Sequence, residues 1–279
     1  MPDWRPLIVR RKDGYPRIMG VINITPDSFF EDSRSNNISE TIKIAESMIQ
    51  NGADWLDVGG ESTRPGAEPV EEEEEISRVV PVIRELREKF PEIGISVDTR
   101  RSKVAKLSLE EGADMINDIS SLSDENMINV IKQSDCYICL MHMKGLPENM
   151  QDNPQYDDVV AEVRNRLNEK VSLLIREGID RKRIIVDPGI GFGKSLEHNL
   201  LLLKSGREII PMSNVRLMWG VSRKSMFSEF LGRIETRDRL AGTLGIAAMT
   251  KTKAVDIIRV HDVAEHTDLF RAMSALEDF

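Results

Sequence analysis

Short apolar runs alternate along the chain with longer segments whose apolar positions recur at the spacing of one helix face. The runs Ile18–Ile24, Trp55–Val58, Ile95–Val97, Met115–Asn117, Tyr137–Met141, Ile184–Val186, Leu217–Trp219 and Ile257–Val260 predict eight strands. Helical periodicity lies between them at Ile38–Gln50, Val70–Phe90, Ser102–Glu110, Asp124–Gln133, Asp157–Glu177, Leu196–Glu208 and Arg237–Lys251, and Val263–Leu276 closes the series. Gly52-Ala53-Asp54 and Gly112-Ala113-Asp114 repeat one junction, a glycine stop followed by a strand. Ahead of the first strand, Leu7-Ile8-Val9, Asp13-Gly14 and Arg17-Ile18-Met19 read as a short hairpin around a D-G turn, placed to plug the bottom of a barrel. Eight strand–helix units without a break in composition predict one α/β domain over 1–279, a single (β/α)8 TIM barrel with a short N-terminal hairpin. An open doubly wound sheet would want G-x-G-x-x-G after its first strand, where Thr25-Pro26-Asp27-Ser28-Phe29 stands instead.

Composition narrows the partners. A formal charge of −9 argues against an extended nucleic-acid surface and against an anionic membrane, while leaving room for a small cationic pocket. No apolar run approaches the ~20 residues of a spanning helix, and Met1-Pro2-Asp3-Trp4-Arg5 lacks a secretory apolar region, so a cytoplasmic location is expected. Cys136 and Cys139 form a C-x-x-C on paper. Within a strand, positions i and i+3 face opposite ways, so the two are expected as small buried apolar residues rather than a metal or redox pair. The acidic run Glu71–Glu75 reads as a solvated first helical turn, favoured by the helix dipole.

The most informative stretch is Ile184–Lys194, IIVDPGIGFGK. A carboxylate, Asp187, ends a buried strand and is followed by a glycine-rich loop that carries Phe192 and Lys194. Gly193-Lys194-Ser195 imitates the end of a P-loop, but the first glycine of G-x-x-x-x-G-K-S/T would fall on Pro188. In a barrel of this kind the C-terminal strand ends share one pocket. Here they carry Asn23, Asp57, Asp98, Asn117 with Asp118, His142, Asp187, Arg223 with Lys224, and Arg259 with His261. Capping accounts for one or two such residues, not for polar groups at every strand end. Asp98, Asn117 and Asp187 offer acceptors and amides to a heterocycle with several N–H groups. Arg259, His261 and the Arg64 loop suit a phosphate or carboxylate, and Asn23 and Asp57 offer hard oxygens that suit Mg²⁺.

Several blocks, in order and at sensible spacing, resemble the signature of the dihydropteroate synthase family. They are N-I-T-P-D-S-F from Asn23, D-V-G-G-E-S-T-R-P-G from Asp57, V-D-T at Val97–Thr99, I-N-D at Ile116–Asp118, M-H-M at Met141–Met143, D-P-G-I-G-F-G-K from Asp187, S-R-K-S at Ser222–Ser225 and R-V-H-D at Arg259–Asp262. The resemblance implies condensation of 6-hydroxymethyl-7,8-dihydropterin diphosphate with 4-aminobenzoate in folate biosynthesis, by a homodimer that uses Mg²⁺. Carried over by motif, Asn23 would hold Mg²⁺ on the diphosphate and would act with Asp27, Arg64 and Lys224 in catalysis. Asp98, Asn117, Asp187 and Lys224 would bind the pterin. Thr63, Arg64, Arg259 and His261 would serve the diphosphate or the entry loops, and Phe192, Lys224 and Ser225 would border the aminobenzoate.

One segment departs from the family. After T-P-D-S-F the family has a small Ser, an Asp and a Gly pair, whereas this chain continues Phe30-Glu31-Asp32-Ser33-Arg34-Ser35, which bears on loop closure and on aminobenzoate and sulfonamide affinity. Two other readings compete. A pterin-binding methyltransferase using methyltetrahydrofolate would share Asp98, Asn117 and Asp187 but hold no diphosphate. A non-catalytic pterin-binding module would keep the rim without turnover.

Overall fold

The computed structural model describes residues 6–24, 34–62, 70–145 and 149–277. Eight parallel strands close into a barrel in sequence order: β1 Arg17–Asn23, β2 Trp55–Gly59, β3 Gly94–Asp98, β4 Met115–Asp118, β5 Tyr137–Met141, β6 Ile184–Asp187, β7 Arg216–Gly220 and β8 Ile257–Val260, which returns to β1. Around them run α1 Arg34–Gln50, α2 Glu72–Lys89, α3 Ser102–Glu110, α4 Met127–Lys132, α5 Val159–Arg176, α6 Leu196–Ser205, α7 Met226–Leu231, α8 Leu240–Ala247 and α9 Val263–Glu277. Among the described residues, no helix is long and apolar enough to cross a membrane.

Alternation along each strand divides the core. Outward residues such as Leu56, Ile95, Ile116, Ile138, Val186 and Ile258 join the layer between sheet and helices. Inward residues Met19, Trp55, Met115, Cys139, Ile185, Met218 and Ile257 fill the lower barrel. Cys136 and Cys139 are both free and buried, and they fall in different layers, as strand parity requires. The Trp55 ring fits because position 94 is glycine: a Cβ there would lie 2.3 Å from the indole.

The N-terminal segment corrects one expectation. The chain does reverse at Arg11–Gly14, with Gly14 N donating to Arg11 O at 2.9 Å and Arg11 N to Tyr15 O at 2.8 Å. However, residues 7–9 form no strand. Their carbonyls go to side chains instead: Leu7 O accepts from Trp55 Nε1 (3.0 Å) and Val9 O from Arg17 Nε (3.1 Å). Ile8 nevertheless joins the interior layer and closes the barrel floor. A second correction concerns the acidic run. Glu73 and Glu74 are exposed, but Glu75 is fully buried and pairs with Arg101. The α7 turn was not marked by the hydrophobic pattern, being only six residues long.

At the barrel base the repeated Gly-Ala-Asp junction does more than stop a helix. Asp54 accepts from Ile18 N (2.9 Å) and pairs with Arg11 and Arg17, while Asp114 accepts from Ile95 N (2.9 Å) and pairs with Arg87. Asp256 repeats the device on Leu217 N (2.9 Å) with Arg207. Each carboxylate thus satisfies the backbone donor at the start of the preceding strand. Asp114→Ala is expected to lower unfolding stability by roughly 1–3 kcal/mol, since the Ile95 N–H loses its carboxylate acceptor and Arg87 its ion-pair partner. Urea denaturation of the variant measures it, and an unchanged midpoint would contradict the role.

Candidate active site

The upper barrel interior is polar. Strand parity that turns Trp55 and Met115 inward also turns Asp57 and Asn117 inward, two residues nearer the C-terminal mouth. Asp98 and Asn117 are register partners, as are Gly59 and Asp98, so these positions share one level, with Asp57 and Ser96 one layer below. Arg259 reaches across from β8. Its Nε donates to Asp57 Oδ2 at 2.6 Å and its Nη2 to Asp98 Oδ2 at 2.7 Å. Asn117 Nδ2 donates to the same Asp57 oxygen at 3.2 Å. Asp57 is fully buried and faces a guanidinium, so the structure gives it a cation partner within the protein and removes it from the set of open oxygens that suit Mg²⁺.

Asp187 lies across the mouth, nearly buried, with Oδ1 accepting from Gly189 N at 2.7 Å. Its loop is pressed against the β5–α5 connection. Gly189 has φ of +68°, and a Cβ there would come within 1.8 Å of His142 O. Lys194 is the staple beneath. It is buried, and its Nζ reaches Phe192 O (2.9 Å), His142 Nδ1 (3.1 Å) and His142 O (3.3 Å). Burial pushes this amine down to about 7, and burial together with the nearby Lys194 pushes His142 down to about 3, leaving the imidazole neutral. Above the loop, Lys224 Nζ stands 4.1 Å over the Phe192 ring, a cation–π contact, with its own value lowered by burial to about 8 although Asp187 opposes that shift.

Other predicted positions are placed as follows. Asn23 is exposed at the end of β1, Ser225 is exposed at the start of α7, and His261 is exposed with Nδ1 2.9 Å from Ser222 Oγ. That hydroxyl also accepts from His261 N at 3.1 Å, which leaves its proton for the ring nitrogen. Arg223 turns away and forks onto Asp262, linking the β7 and β8 loops. Asp118 likewise faces outward, where it binds Ser120 N, Ser120 Oγ and Leu122 N and shapes the loop after β4. Asp27, Thr63, Arg64 and the Phe30–Ser33 departure lie outside the described residues. Position 61, which the motif reading left without a role, binds both Arg100 and Arg101, and Glu61 Oε1 also accepts from Val70 N at 3.2 Å. A separate cavity of about 170 Å³ lies beyond Ile119 and Met141, between Ser121 and Lys170, and includes none of the inward carboxylates.

Residues 19–261 match the model of the pterin binding enzyme family. The chain is 42% identical over 261 residues to a dihydropteroate synthase of Escherichia coli K12, covering 94% of this chain and 92% of that protein. It is 43% identical to one of Neisseria meningitidis serogroup C, with 94% and 93% covered. The chain belongs to the dihydropteroate synthase family of pterin-binding enzymes. Its fold is similar to that of a Yersinia pestis dihydropteroate synthase solved with a sulfonamide drug complex, at a TM-score of 0.88 and 37% identity over 96% of this chain and 97% of that one. A Xanthomonas albilineans member in complex with 7,8-dihydropteroate is similar at a TM-score of 0.84, 33% identity and 96% coverage of both chains.

In this family member the floor holds three buried carboxylates, Asp57, Asp98 and Asp187, against Arg259 and Lys224. Burial raises the Asp98 carboxyl from its ordinary 3.8 to about 7; Arg259 opposes the rise and Asp57 adds to it. The folded value lies above the unfolded one. Asp98 therefore contributes stability that is fully present below about pH 4 and is lost as pH rises through about 7. Unfolding free energy, compared between wild type and Asp98→Asn from pH 4 to 8, is expected to show that component in the wild type alone. Parallel curves for the two proteins would refute it.

Proposed function

We propose that this chain condenses 6-hydroxymethyl-7,8-dihydropterin diphosphate with 4-aminobenzoate, giving 7,8-dihydropteroate and diphosphate. The observation that carries the reading is the ring of inward acceptors, Asp98, Asn117 and Asp187, beside the Lys224–Phe192 pair, in a chain that matches the family along its length. A pterin presents several N–H groups along one edge, and buried carboxylates accept such groups strongly. Phe192, Lys224 and Ser225 at the α7 start would border the aminobenzoate, and Thr63 would serve the diphosphate or the entry loops.

The reaction breaks the bond between the pterin methylene carbon and the diphosphate oxygen. A carbon–nitrogen bond to the arylamine replaces it, and the amine loses one proton. Negative charge develops on the leaving diphosphate, which His261, Arg64 and the Nη1 end of Arg259 suit. The buried carboxylates beneath the pterin favour positive charge on the ring system as departure proceeds. No protein nucleophile is needed: the residues position the two substrates and balance charge. Arg259 belongs to the floor as much as to the diphosphate side, because Nε and Nη2 are held by Asp57 and Asp98.

Mg²⁺ fits this site as a substrate-borne ion. Among the described residues, no cluster of three or more His, Cys, Asp or Glu groups is arranged to hold a metal. The exposed amide oxygen of Asn23 suits an ion that takes most of its ligands from diphosphate and water, and Asp27 would stand nearby in sequence. Bound there, Mg²⁺ supplies charge neutralisation of the leaving diphosphate. A homodimer is supported by an apolar surface shared by successive elements: Leu200 and Leu201 on α6, Phe230 and Leu231 on α7, then Ile234 and Met249. Sedimentation at micromolar concentration tests the dimer. A cytoplasmic location goes with this reading, and fractionation tests it. The methyltransferase reading is disfavoured because the T-P-D-S-F, S-R-K-S and R-V-H-D blocks favour the synthase and the matched relatives are dihydropteroate synthases.

A turnover assay with both substrates is expected to release diphosphate and dihydropteroate, and to stop when Mg²⁺ is chelated. Asp187→Asn is expected to weaken pterin binding by roughly 1.5–3 kcal/mol, the loss of charge-assisted contacts. Near-wild-type pterin affinity by calorimetry in the folded variant would remove Asp187 from the site.

A further inference from the structure

Asp57 stands one layer below the acceptors that meet the ligand. One of its oxygens, Oδ2, takes both Arg259 Nε at 2.6 Å and Asn117 Nδ2 at 3.2 Å. Its other oxygen, Oδ1, is buried and without a hydrogen-bond partner among the described residues, as is Ser96 Oγ at the facing register position on β3. The Asn117 contact has a consequence set by chemistry. A carboxylate bound to a guanidinium accepts and does not donate, so it must meet the amino end of the amide. With Nδ2 committed to Asp57, the Asn117 carbonyl oxygen is the end of the amide left to accept from another group. Asp98, a second acceptor, is its register partner on β3.

We propose that Asp57 is a positioning residue that selects the pterin: it holds the Asn117 amide with its oxygen toward the substrate and holds the Arg259 fork against Asp98. The proposal rests on the pterin reading of this floor. An N–H-rich ring edge then meets acceptors at positions 98, 117 and 187 without an intervening donor. An amide at position 57 would offer Asn117 an N–H as readily as an oxygen. The Asn117 side chain could then turn over and present its own N–H to a ligand N–H, a mismatch of two donors. The same exchange would remove half of the charge that fixes Arg259. The unpartnered Oδ1 and Ser96 Oγ mark the place where this layer still has acceptor capacity to spare, consistent with a floor built to orient groups above it rather than to pair completely within itself.

Asp57→Asn is the test, assayed after the wild type has been shown to turn over both substrates; a wild type without turnover would fault the functional reading, not this one. The variant is expected to raise KM for the pterin diphosphate by roughly 10- to 100-fold, the range for a lost charge-assisted contact, with a much smaller change in KM for aminobenzoate. A residue that merely supports the fold would move both, together with the melting temperature. Combining Asp57→Asn with Asn117→Ala separates the routes. If Asp57 acts through Asn117, the double variant loses less than the product of the two single losses. A wild-type pterin KM in Asp57→Asn, or a fully multiplicative double variant, would overturn the proposal. If Asp57→Asn does not fold, the wild type still decides. The Asn117 side-chain amide protons are expected to exchange slowly with solvent, and free exchange in the pterin-bound protein would overturn it.

Discussion

One half-buried guanidinium shared between two buried carboxylates constrains the rest of this barrel. Arg259 bonds Asp57 and Asp98, partners 202 and 161 residues away in sequence, and so ties the last strand to the second and third across the mouth. Carboxylates at this depth are tolerated only when paired and hydrogen-bonded. Burial is the main reason Asp98 binds its proton more tightly than an ordinary carboxyl; Arg259 opposes that shift and the neighbouring Asp57 adds to it. A site with surplus acceptors and little water suits a flat ring that brings its own N–H groups.

Two halves of the site are built by different means. The half proposed for the pterin stands on strand ends, whose geometry is set by the closed ladder and by the layer of Trp55, Met115 and Cys139 beneath. The half proposed for the aminobenzoate stands on loops. Its best-defined part is the Gly189–Lys194 turn, whose start is held by Asp187 through Gly189 N and whose end is held by Lys194, which donates to the carbonyls of Phe192 and His142 beside the His142 imidazole. Lys224, over the Phe192 ring, is the cation proposed to serve the substrate side.

Much of this architecture was legible in the chain. Each of the eight barrel strands coincides with an apolar run, because parallel strands covered on both faces must be apolar nearly throughout. The polar residue that ends each run could be read as a rim residue by the same logic. What local pattern could not supply was direction and pairing. Asp118 ends a strand like its neighbours, yet one step of parity turns it outward to shape a loop. Asp57 looked like an open oxygen because nothing in its neighbourhood announces an arginine 202 residues later. Glu75 was hidden in a run of five identical side chains, of which helical rotation buries one against Arg101. The segment at 7–9 had strand-like composition, but its carbonyls were claimed by Trp55 and Arg17.

From the proposed function it follows that the strand-end acceptors, fixed by the closed ladder without substrate, receive the pterin diphosphate first, and that the loop-borne half receives the aminobenzoate after it. Calorimetric titration in the presence of Mg²⁺ addresses it directly. The account predicts that the pterin diphosphate binds the free protein, and that aminobenzoate gives binding heat only after the pterin diphosphate, or a pterin with diphosphate, has been added. Tight binding of aminobenzoate to the protein alone would contradict it.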